Sequence, residues 1–180
     1  MSTTPPAYSL GQIADLLSCA TAFVGMPRQQ ALRVAEVMAM CEYKEGELLT
    51  QEGNTNQGHL MLVVSGEAKI TSKLVNSVDT LVFRRATAGH LIGEVGFIDG
   101  SKHSATCTAM TPMHVAVLER DHLTRMLENQ PMAAAQLMAG LLKIMAHRVR
   151  DANMTIQTLG VVHMGLQKEI EELRLKLPKA

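Results

Sequence analysis

One feature restricts this chain more than any other: a helical pattern that runs from about Met132 to Leu177 without a proline. At 1.5 Å per residue such a helix is on the order of 70 Å long. A domain built from the remaining sequence cannot cover its distal half, so any apolar face there needs another chain. The face exists. With Met145, Ala152, Leu159, Leu166 and Leu173 at heptad position d, position a falls on Val149, Ile156, His163, Ile170 and Leu177. Every one of these except His163 is apolar, and β-branched residues at a with leucines at d favour a parallel two-stranded coil. Glu169 at g and Arg174 at the following e stand where partner helices exchange a salt bridge, and Glu172 with Lys176 adds an i,i+4 pair. The expectation is a homodimer through a C-terminal coiled coil; the competing reading is a single helix lying on its own domain. Gly160 and Gly165 weaken the helix by up to about 1 kcal/mol each. His163 is either a polar register-setter or a pH switch. Facing imidazoliums repel, so the dimer is expected to weaken as pH falls toward about 6.

The rest of the chain changes period twice. From Ser9 to about Met40 the spacing is helical, with Ile13, Leu16 and Leu17 and then Leu32, Ala35 and Val37 as inward candidates, and Pro27 suited to a first helical turn. From about Cys41 to Arg120, short apolar runs alternate with glycine punctuation. Leu60 to Val64, Ala68 to Ile70, Thr80 to Phe83 and His114 to Leu118 read as strands. Many short strands separated by turns indicate an antiparallel sandwich or barrel. Asp121 can cap a short helix that Asn129-Gln130-Pro131 ends. The predicted organisation is a flexible tail over 1–8, a β-roll domain with flanking helices over 9–131, and a dimerisation helix over 132–180.

Bulk numbers remove several classes of function. The 17 basic residues equal the 17 acidic ones, and a protein that lives on DNA usually carries a basic excess. Cys19, Cys41 and Cys107 are scattered and form no CxxC pair, so they suggest neither a zinc site nor a disulfide framework, but reduced thiols in a cytoplasmic protein. The start, Met1 to Tyr8, lacks the basic and apolar regions of a signal peptide, and no apolar run reaches the roughly 18 residues of a membrane span. HExxH is absent, and the seven histidines are dispersed, which argues against an enzyme and against a metal site.

The stretch with most chemistry is Gly89-His90-Leu91-Ile92-Gly93-Glu94-Val95-Gly96-Phe97-Ile98-Asp99-Gly100-Ser101-Lys102-His103-Ser104-Ala105-Thr106. Gly93 and Gly96 permit close backbone approach to a ligand. A turn of helix after Gly93 would aim free N–H groups at an anion. Glu94 beside that anion would accept hydroxyl hydrogen bonds from a sugar. The plain alternative is that a Gly-Glu loop is only a turn.

The ordered series Phe23-Val24-Gly25-Met26-Pro27, Glu45-Gly46-Glu47, Glu52-Gly53, Val64-Ser65-Gly66-Glu67, Ala88-Gly89, Ile92-Gly93-Glu94 and Ser104-Ala105-Thr106, followed by a short helix and Pro131, resembles the cyclic-nucleotide-binding domain. It is similar to the sensor half of the bacterial catabolite-activator/FNR-type regulators, over about Ser9 to Asn153. The resemblance implies an α+β fold: an antiparallel, jelly-roll-like β-roll (a double-stranded β-helix) with N-terminal helices and a long C-terminal helix. It also implies a phosphate-binding cassette between two strands. Glu94 would bind the ribose 2′-hydroxyl. Backbone N–H groups around Gly93, Glu94, Val95, Ser104 and Ala105 would hold the cyclic phosphate, and Asn153 would contact the base.

The chain departs from that pattern at one place. The family's cassette carries an arginine just before its Ser/Thr-Ala pair, and here Lys102-His103 stands there. Histidine cannot clamp phosphate bidentately as arginine does. Losing a charge-assisted pair costs roughly 1.5–3 kcal/mol. Either Lys102 or one of Arg84 and Arg85 could supply the cation, since neighbouring strand residues face opposite ways and one of the two points inward; otherwise the pair is a solvated strand end. Two functions follow as expectations. The chain is a cyclic-nucleotide sensor, for cAMP or cGMP, that dimerises and signals to an unidentified protein partner with weakened or altered binding. Alternatively it is a degenerate domain that binds no nucleotide and serves as a dimeric interaction module. The sequence stops at Ala180 without a helix-turn-helix, so no direct DNA binding is expected.

Overall fold

The computed structural model describes residues 8–19, 21–22, 25–55, 58–73 and 80–176. Residues 1–7 of the expected tail, Phe23-Val24 of the motif series and heptad residue Leu177 lie outside the described residues. Two helices come first. In α1 (Leu10–Leu17) the Ser9 side chain accepts from the Gln12 N–H while Gln12 reaches back to the Ser9 N–H, a capping box that satisfies two orphan donors at once. Ile13 and Leu17 are buried. α2 (Arg28–Ala35) starts after Pro27, which is the N-cap residue and not, as expected, inside the first turn. Its inward residues are Ala31, Val34 and Ala35, whereas Leu32 and Val37 are only half-buried. The helical reading up to Met40 overshot: a strand, β1 (Ala39–Tyr43), begins four residues after α2 ends, because this segment finds ladder partners along the later strand Met113–Glu119.

Seven more strands follow: β2 (Leu48–Thr50), β3 (His59–Ser65), β4 (Ala68–Lys73), β5 (Thr80–Ala86), β6 (Leu91–Ile92), β7 (Thr106–Ala109) and β8 (Met113–Glu119). They form two four-stranded sheets, β1-β8-β3-β6 and β2-β7-β4-β5, with every pairing antiparallel. The space between the sheets is filled by Met61, Val63, Ile92, Met113, Val115 and Val117 from one side and the smaller Ala68, Ala86, Cys107 and Ala109 from the other. Along β3 and β8 the alternate residues Leu60, Leu62 and Leu118 are buried as well. Helices lie against these strands, α1 and α3 (Glu94–Asp99) on β3 and α4 (Arg120–Asn129) on β8, so their sequences read as continuous apolar runs and not as an alternation. The predicted jelly-roll-like architecture is the one observed.

Asp121 does not cap α4. The N-cap is Glu119, without a side-chain hydrogen bond, and Asp121 sits in the first turn, where its charge complements the helix dipole. α5 (Pro131–Lys176) is one unbroken helix of 46 residues. The chain divides into two compact units, Met1–Leu142 and Lys143–Ala180. Within the first unit, α5 buries Ala133, Ala134, Leu137 and Leu141. Within the second, every described residue from Val149 to Leu175 is exposed.

Candidate ligand site

The connection from β6 to β7 carries the residues singled out in the sequence. Gly93 has φ +84°, and a Cβ there would lie 2.7 Å from the His59 carbonyl oxygen at the start of β3. Both facts require glycine, and the close approach is to the protein's own strand. One turn on, the Phe97 N–H donates to the Gly93 carbonyl (2.9 Å), and Gly100 closes the six-residue α3 in a second left-handed conformation at φ +74°. The expected helical turn after Gly93 is therefore present, with Glu94 as its first residue.

Glu94 is only 3% exposed; Thr50 is the one other buried polar or charged residue among those described. A carboxylate taken from water this completely is costly unless partnered, and the head of a helix is where its negative charge is best tolerated. Val95 is half-buried beside it.

α3 is held from outside by a residue the sequence reading missed. The Arg120 guanidinium donates to the carbonyl oxygens of Gly96 (2.5 Å) and Phe97 (2.9 Å), carbonyls in the last turns of α3. Nothing in the local pattern marks Arg120, since the contact spans 24 residues of chain.

The second half of the connection is clamped by the β2–β3 loop. His103 N–H donates to the Asn54 carbonyl (3.0 Å), and Gly53 N–H donates to the His103 carbonyl (2.9 Å). The Thr50 hydroxyl donates to the Ala105 carbonyl at 3.2 Å, and the Glu52 N–H to the Thr106 hydroxyl oxygen at 3.1 Å. Glu52 is itself fixed by the Lys73 N–H and the Ser72 hydroxyl, which hold its carboxyl below the ordinary range. The Gln51-Glu52-Gly53-Asn54 segment was legible as a turn but not as a clamp on a loop some 50 residues away.

Charge is the weak point of this loop. His103 is half-buried, and burial, with His59 nearby, holds its imidazole below the ordinary value, so it is neutral at pH 7. Lys102 and Ser104 are exposed, and Ala105 is half-buried. Of the two strand arginines, Arg85 is exposed and faces Glu67 at 3.9 Å, whereas Arg84 is half-buried on the opposite face of β5. Asn153 belongs to the second unit, on the exposed stretch of α5. Among the described residues no group of three His, Cys, Asp or Glu could hold a metal ion, and no helix is long and apolar enough to cross a membrane.

This geometry defines a jelly-roll-like β-roll with a glycine-bracketed helix inserted between its sixth and seventh strands and a buried carboxylate at the head of that helix. More narrowly, the chain belongs to the cyclic nucleotide-binding domain family, whose profile matches residues 40–130. Among solved structures it is similar to a cyclic nucleotide-binding domain from Methylobacillus flagellatus KT, with 26% identity, 79% of each chain covered and a TM-score of 0.70. The catabolite activator protein of Thermus thermophilus shares the fold at 21% identity, with 76% of this chain and 62% of that one covered and a TM-score of 0.65. A cGMP-dependent protein kinase of Caenorhabditis briggsae, egl-4, is 22% identical over 117 residues, which are 64% of this chain and only 16% of the kinase.

Proposed function

We propose that this protein is a non-enzymatic regulatory sensor of the cytoplasm that binds a cyclic nucleotide in its roll. It dimerises through the coiled coil of α5 and passes the ligand's effect to a partner protein. One observation carries the reading: Glu94, buried at the head of α3 behind a left-handed glycine. A carboxylate at the head of a helix, in a loop that begins with a left-handed glycine, is placed to accept hydrogen bonds from sugar hydroxyls. The seam Val149, Ile156, Leu159, Leu166, Ile170 and Leu173, exposed in a single chain, supports the dimer.

His103 supports a second reading, a pocket that has lost its ligand. A neutral imidazole stands where the family places a guanidinium, which leaves the exposed Lys102 as the fixed cation of the loop. Calorimetry with cAMP, cGMP and cyclic dinucleotides on the wild type and on His103→Arg separates the two. The sensor reading expects measurable wild-type binding and a tenfold or greater gain in His103→Arg, from roughly 1.5–3 kcal/mol of restored charge-assisted bonding. Binding only in His103→Arg establishes a degenerate pocket, and heat from neither protein sinks the sensor reading.

A further inference from the structure

The exposed part of α5 carries a second stripe. Met154, Thr158, Val161 and Gly165 recur at alternating steps of four and three, and all are exposed. The same steps lead back to Asp151 and His147 and on to Lys168 and Glu172, which are exposed as well. These are heptad positions c and f, on the side of the helix away from the a/d seam. A partner that fills the seam therefore leaves this stripe open.

The stripe reads the same from both ends. Turned end for end about the midpoint between Leu159 and Gly160, Thr158 meets Val161 and Met154 meets Gly165. Asp151 then meets Lys168, and the His147 imidazole meets the Glu172 carboxylate. Neighbouring positions follow the same rule, with Arg150 opposite Glu169 and Arg148 opposite Glu171. Between these two charged blocks, from Ala152 to Gln167, the sequence holds no Asp, Glu, Lys or Arg. The one pair of like sign is Lys143 with Lys176, at the far ends. A parallel contact in register on this face would set Asp151 against Asp151 and Glu172 against Glu172, which repel. An antiparallel contact sets each charge against its opposite.

Size is matched as well as charge. Gly165 weakens the helix by up to about 1 kcal/mol, and a Cβ there would meet nothing within 4 Å in the single chain. Opposite the long side chain of Met154, a residue without a side chain makes room. His147 and Asp151 already meet on one helix, Nδ1 to Oδ1 at 3.4 Å. Lys168 and Glu172 of a second copy extend that pair into a cluster of four at each end of the uncharged stretch, and exposed ion pairs count for more in networks than singly.

We propose that the c/f stripe of α5 is a self-docking surface that joins one dimer to a second copy of itself, the helices antiparallel about Leu159 and Gly160. This rests on the coiled-coil dimer proposed above. Such a contact is isologous, each residue and its opposite exchanging places across the two-fold axis. Each helix of a dimer carries one stripe on its outer side, so every dimer has two and association continues past four chains.

Sedimentation equilibrium on the full chain tests this. The wild type is expected to exceed the dimer mass at high protein concentration and to return to it on dilution and in high salt, which screens the charge pairs. Val161→Lys, at the centre of the stripe and off the seam, is expected to stay at the dimer mass at every concentration. Asp151→Lys should do the same by facing Lys168 with a like charge, and the double variant Asp151→Lys with Lys168→Asp should regain the larger assembly. A wild type that remains a dimer up to its solubility limit overturns the proposal and leaves the coiled coil standing. A wild-type monomer removes the coiled-coil reading and the proposal with it. Larger assemblies that persist in Val161→Lys, or a charge swap that restores nothing, overturn the antiparallel register. A monomer from either single variant makes the stripe part of the dimer itself, which also overturns it.

Discussion

A guanidinium and an imidazole differ most in what pH does to them, and His103 makes this measurable. Its folded value is depressed by burial first and by His59 second, from an ordinary 6.5. Protons therefore bind the unfolded chain before the folded one as pH falls through the region of 6.5, and stability declines across that window. Denaturant midpoints measured at about pH 8 and about pH 5.5 should show this decline, and His103→Gln should reduce it. A decline of the same size in His103→Gln would place its origin elsewhere. At this scale the sequence was most informative about Gly93 and Glu94, whose roles depend on neighbours in the chain. It left Arg84 and Arg85 as alternatives, because strand alternation says that the two diverge but not which one faces inward. That choice needed the register with Ile70 and Cys107.

Among the elements, the long strands and the helices were legible and the short strands were not. β3, β4, β5 and β8 carry enough apolar residues to announce themselves, and each is longer than expected by two or three residues. β6 has two residues and β2 three, too few for any period to emerge. Met38, Ala39 and Met40 are good helix formers and continue the helical pattern, and tertiary pairing of β1 with β8 overrides that preference. α3 was expected from Gly93 onward, but its anchoring by Arg120 was not. Arg120→Met removes the donor from the Gly96 and Phe97 carbonyls, and two hydrogen bonds from a charged group are together worth about 3 kcal/mol or more. The expected result is faster amide exchange confined to α3 and the following loop, with little change across β3 and β8. Uniformly faster exchange would indicate that Arg120 supports the whole roll instead.

For the whole molecule, the consequential feature is the seam on α5. Ile156, Leu159, Leu166, Ile170 and Leu173 are each more than half exposed in one chain. The heptad reading covers them with a second copy. Leu166→Asp sets a charge in the middle of that seam, and sedimentation should then report a monomer whose roll keeps the wild-type thermal transition. A dimer that survives Leu166→Asp would assign association to another surface. Met154, Val161, Val162 and Met164 are equally exposed and lie off the heptad seam. Between Leu159 and Leu166 the helix is apolar on more faces than a two-stranded coil covers.

The two left-handed glycines that bracket α3, Gly93 and Gly100, set both ends of this insertion by backbone geometry. A segment so bounded behaves as an interchangeable cartridge. An equal-length graft from a relative that keeps the buried Phe97 is expected to leave the entry and exit directions of the chain intact. On the sensor reading, such a graft is expected to change ligand preference without rebuilding either sheet.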